Sequence, residues 1–119
     1  MFIFQQERLI KDWPAQIILP VDGGRTLQEN ITLDLMILNA SSSYKVLQGD
    51  ENIFRQVICG WSGIVNTEGE SLEFNETNRE LLLEDPFFII AAARAYQQAA
   101  GGIAANNIHP DRINQKYDS

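Results

Sequence analysis

Between residues 13 and 38, apolar residues alternate with other residues, which is the period of strands with one buried face. Trp13, Ala15, Ile17, Leu19 and Val21 share one phase; Ile31, Leu33, Leu35 and Ile37 share another. Between them, Asp22-Gly23-Gly24 supplies turn chemistry, so the stretch predicts an antiparallel β-hairpin. Pro14 and Pro20 cannot donate ladder hydrogen bonds, which makes the first strand an edge or a short one. Phe2 and Phe4 also alternate and offer a third strand. A lone hairpin is marginal, so this one must pack on something.

After Leu38 the period changes to that of helices. Ser41, Ser42 and Ser43 offer N-caps for a short helix carrying Tyr44 and Leu47, stopped by Gly49. Asp50 caps a second helix whose face is Ile53, Phe54, Val57, Ile58 and Trp61, with Gly60 as its C-terminal glycine. Asn66 to Ser71 reads as a turn. Asn75 caps a third helix through Leu81, Leu82 and Leu83. Asp85-Pro86 opens a fourth that runs to about Ala100 and ends at Gly101-Gly102. The expected fold class is α+β: an N-terminal antiparallel β-hairpin or small sheet packed against about four α-helices. One domain spans 1–102, and 103–119 is expected to be a flexible C-terminal tail.

The fourth helix is apolar around most of its circumference, with Phe87, Phe88, Ile89, Ile90, six alanines and Tyr96. Such a helix is either central in its own core or shared with another subunit. Ala91, Ala92, Ala95 and Ala99 form a small-residue face that suits close helix approach in either setting. On the shared-subunit reading, Ile90→Asp or Ala95→Glu dissociates an oligomer without unfolding it. Trp61 also has two roles open to it. It either anchors the core, with its indole N–H on a carbonyl, or grips a partner as an exposed hot spot. The candidate partner-binding or self-association residues are therefore Trp61, Phe87, Phe88, Ile90, Ala95 and Tyr96.

The 119 residues fit one domain with one core, and 45% hydrophobic content is ordinary for a globular protein. A net charge of −7 repels phosphates, which argues against nucleic acid and anionic membranes as partners. That charge serves either solubility alone or steering toward a basic partner. The single cysteine, Cys59, precludes an internal disulfide and suits a reducing cytosol. The first residues lack the basic and apolar regions of a secretion signal, and no apolar run is long enough to span a membrane. The glycosylation-type triplets at Asn30, Asn39 and Asn75 are then chance matches.

Catalytic signals are weak. A nucleophile–base pair requires Cys59 and His109, the only residues of their kinds. Cys59 is expected on an apolar helix face, where a thiol is inert, and His109 in the tail. Glu68, Glu70 and Glu73 cluster without the alternating pattern of a calcium loop, so a solvated acidic turn explains them better. Gly23-Gly24 has no following Lys-Ser/Thr and is a hairpin turn rather than a phosphate cradle. The reading is therefore non-enzymatic, with no cofactor and no metal.

In sequence order, the chain from about Trp13 to Tyr96 resembles the tail assembly chaperone family of long-tailed phages and prophages. The resemblance lies in the strand entering Leu19-Pro20-Val21-Asp22-Gly23-Gly24 and in the segment Val57-Ile58-Cys59-Gly60-Trp61-Ser62-Gly63-Ile64. It continues in the turn Glu68-Gly69-Glu70-Ser71-Leu72-Glu73-Phe74 and in Leu81-Leu82-Leu83, Asp85-Pro86 and Ala95-Tyr96. Relatives often carry an acidic residue where Ser62 stands, a proline where Ser71 stands, and a Phe-rich second strand in place of Ile31, Leu33 and Leu35. The resemblance implies a chaperone of the bacterial host cytoplasm, absent from the mature virion. Such proteins hold the long tape measure protein before the major tail tube protein polymerises around it, and several form homo-oligomers. Some also exist in a frameshifted longer form. Two other readings stay open: a virion tail-completion or head-tail joining protein, and a small host-derived binding or regulatory module.

Overall fold

The computed structural model describes residues 1–104. Its order is β1 (Arg8–Val21), a turn at Asp22–Gly24, β2 (Arg25–Ile37), α1 (Ala40–Leu47), α2 (Glu51–Val57), β3 (Ile58–Ser62), α3 (Glu76–Leu82) and α4 (Pro86–Ala100). The three strands form one antiparallel sheet in the order β1-β2-β3, and the fold is α+β. From residue 105 on, the expected tail and His109 lie outside the described residues.

The hairpin is longer than its alternation suggests because the phase breaks. A β-bulge between Ile10 and Trp13 places one extra residue on β1, so Ile10 faces Leu35 while Trp13 faces Leu33. Asp12 takes φ 54° at the bulge, and its N–H donates to Asp34 Oδ1 at 2.9 Å. β1 lies at the sheet edge, as its two prolines require, although it is fourteen residues long.

The third strand comes from the expected second helix, not from Phe2 and Phe4. α2 stops at Val57, and Ile58 to Ser62 pair with β2. Gly60 is therefore not a helix C-cap. It pairs with Asp34, and a Cβ at this position would lie 2.5 Å from Asp34 Oδ2. The glycine leaves room for the carboxylate that braces the bulge. On the opposite face, Trp13, Leu33 and Trp61 form one row across all three strands.

That face carries the core. Ala15, Ile31, Leu33, Leu35 and Ile58 of the sheet pack with Val46, Ile53, Phe54, Val57, Leu83, Phe88, Ala92, Ala95 and Tyr96. The helix starts follow side-chain capping. Asp50 accepts from Asn52 N–H, Asn75 from Asn78 N–H, and Asp85 from the N–H groups of Phe87 and Phe88. α1 is capped by Asn39 rather than by the serines; its side chain accepts from Ser42 N–H. Residues 21–30, by contrast, are exposed throughout, so the hairpin extends past the packed layer as an arm.

Candidate binding face

The fourth helix is positioned by its ends and by its alanines. Asp85 and Pro86 start it. At the other end, Gly102 N–H donates to Ala99 O and Ile103 N–H to Gln98 O, which is the Schellman closure. Ala91, Ala92 and Ala95 are 1–2% exposed, and Ala91 and Ala95 lie beside Pro14 and Ala15. Small side chains on both elements bring α4 close to β1. The alanine face thus serves packing within the protomer.

The six candidate residues divide by exposure. Phe88 and Tyr96 are each 1% exposed, and Ala95 is 2% exposed. They belong to the protomer's own core and offer a partner nothing to touch. Tyr96 closes a polar loop as well: its hydroxyl accepts from Leu38 N–H at 2.9 Å and lies 2.7 Å from Ser43 Oγ, which donates to Leu38 O. Trp61 is half-buried, and its indole N–H donates to Leu72 O at 2.7 Å. Its ring meets Phe74 and Phe88 edge-on, with centroids 4.9 and 6.2 Å away. Phe87 is half-buried and Ile90 is 48% exposed. Of the six, these two present apolar surface outward from α4.

Ile90 and Phe87 do not stand alone. With Ala91 and Arg94 of α4 and Gln16 and Ile18 of β1 they line a shallow groove along the sheet edge. Sequence reasoning missed Ile18 because it lies out of phase with the core residues of β1. Its apolar character on the polar phase was the available signal. Beyond the groove, Val21 and Leu27 expose 40% and 47% of their surface on the arm.

Elsewhere the polar chemistry is structural. Asn66 builds the acidic turn, its side-chain oxygen accepting from the N–H groups of Glu68 and Glu70. Leu72 N–H returns to Ile64 O, which closes the loop under Trp61. Arg55 Nε donates to both Glu80 carboxylate oxygens, at 2.9 and 2.8 Å, and this bond holds the Glu80 carboxyl below its ordinary range. Cys59 sits on β3 rather than on a helix face. Partial burial, with Asp34 nearby, pushes its thiol pKa up and away from the reactive thiolate. Among the described residues, no three His, Cys, Asp or Glu side chains gather as a metal site, and no helix is long and apolar enough to cross a membrane.

No protein family, curated protein or solved structure matches this chain.

Proposed function

We propose that this chain is a non-enzymatic tail assembly chaperone of a long-tailed phage or prophage. It acts in the bacterial host cytoplasm and is left out of the mature virion. Its client is the tape measure protein, which it holds until the major tail tube protein assembles around it. The observation that carries this reading is the apolar groove of Ile18, Phe87 and Ile90 on an acidic chain. A shallow groove flanked by Gln16 and Arg94 suits the apolar stripe of an amphipathic client helix. Weak single contacts repeated over several subunits give avidity and still release the client when the tube forms. The charge of −7 keeps a sticky complex soluble. The sequence resemblance, from Trp13 to Tyr96, supplies the identity of the client.

The test is co-expression with a candidate tape measure protein from the same genome, followed by pull-down and sizing. The expected result is a soluble complex that is lost when this chain is omitted. A client equally soluble or insoluble with and without this chain overturns the proposal. In that case, finding the chain in purified particles would assign it to a tail-completion or head-tail joining role.

A further inference from the structure

The arm carries an unpaired sheet edge. β3 pairs with β2 only from Thr32 to Leu35, and Gly63 then turns the chain away against the Asn30 carbonyl. Residues 25–29 of β2 are thus paired with β1 on one side and exposed on the other. β1 bears prolines that blunt its edge; residues 25–29, Arg-Thr-Leu-Gln-Glu, contain none.

At the far end of the sheet lies a segment suited to that edge. Phe2, Ile3 and Phe4 are 80%, 73% and 73% exposed, and residues 1–5 adopt no regular structure. The segment is held by Arg8, whose guanidinium donates to Ile3 O and stacks on the Phe2 ring at 5.2 Å. Phe-Ile-Phe has high strand propensity, and residues 2–6 equal the open edge in length. Phe2 to Phe4 offer on the order of 450 Å² of uncovered surface, about half of the roughly 800 Å² that each partner commits to a stable interface.

The segment cannot reach its own arm. Arg8 pairs with Ile37, so the middle of the open edge lies ten residues further along β2, roughly 33 Å away. Phe4, four residues before Arg8, extends only about 14 Å. Any pairing therefore occurs between molecules.

We propose that residues 2–6 of one copy add as a strand to the residue 25–29 edge of a second copy. The backbone ladder supplies most of the hydrogen bonds, and alternate Phe side chains cover the apolar side of the arm at Leu27. Reciprocal exchange closes a two-fold dimer, and one-way exchange propagates a ring or filament. This surface is separate from the α4 groove, and the inference does not depend on the identity of the client.

The test uses the protein alone, by light scattering after gel filtration over a concentration series. The wild type is expected to self-associate, and Phe2→Ser with Phe4→Ser to weaken that by at least about tenfold with an unchanged far-UV spectrum. In a Cys59→Ser background, Phe4→Cys chains mixed with Gln28→Cys or Leu27→Cys chains should form mixed disulfide dimers on oxidation. A wild type that stays monomeric at high concentration overturns the proposal. So does an unchanged mass for the double variant, or the absence of mixed cross-links. Client capture is measured separately, so loss of one reading leaves the other standing.

Discussion

Tyr96 shows how a residue that looks like an interface aromatic can be a structural fastener. It sits at the middle of an apolar helix, yet its hydroxyl satisfies Leu38 N–H where β2 passes into α1. The Ser43 hydroxyl completes the loop by donating to Leu38 O. Each polar group at this half-buried junction then has a partner, which is the condition for such a network to stabilise rather than destabilise. Tyr96→Phe removes one oxygen and leaves the Leu38 amide without its acceptor. The expected cost is about 1–3 kcal/mol, read as a lower urea midpoint with an unchanged slope. Ser43→Ala in the same background should add less than its single effect, because the loop is already broken. A full additive loss would mean that the hydroxyls do not act together.

The elements divide into those whose signals agree and those whose signals compete. The hairpin, α3 and α4 were legible because alternation, turn residues and caps all point the same way at Asp22-Gly23-Gly24, Asn75 and Asp85-Pro86. β3 was not. Ile53, Phe54, Val57, Ile58 and Trp61 satisfy helical spacing, but the chain leaves the helix at Val57. The physical reason is tertiary: β2 has an open side at Thr32 to Leu35, and Ile58 and Trp61 fill it opposite Leu35 and Leu33. Gly60, read as helix punctuation, instead admits Asp34, and Gly63 turns the chain off the sheet. For α4, apolarity all round did not separate the two faces, which only packing could assign. Ala95 is buried against the sheet, so Ala95→Glu should not release an intact monomer, contrary to the shared-subunit reading of this helix. It should cost more than about 3 kcal/mol and unfold the domain at ordinary temperature. Ile90→Asp, on the exposed face, should change stability by less than about 1 kcal/mol while reducing client capture. Thermal melts beside pull-downs separate the cases, and a folded Ala95→Glu protein would show that the helix packs elsewhere.

For the whole molecule, charge and shape act against each other in a way that salt can read. Every copy carries a net charge of −7, so bringing two together is opposed by long-range repulsion. The proposed contact between copies is a backbone ladder with apolar side chains, and neither depends on charge attraction. Screening therefore removes a penalty without removing a contact. The Debye length falls from about 10 Å at 0.1 M salt to about 3 Å at 1 M. Self-association should tighten several-fold between about 0.05 M and 0.5 M salt, as measured by sedimentation. A client segment rich in lysine or arginine should behave oppositely, because its attraction to this acidic surface is screened over the same range. The two slopes thus carry opposite signs if copies meet through the arm edge and a basic client is drawn by the chain's overall negative charge. If self-association weakens as salt rises, ionic contacts hold the copies together, and the strand-addition account of the arm fails.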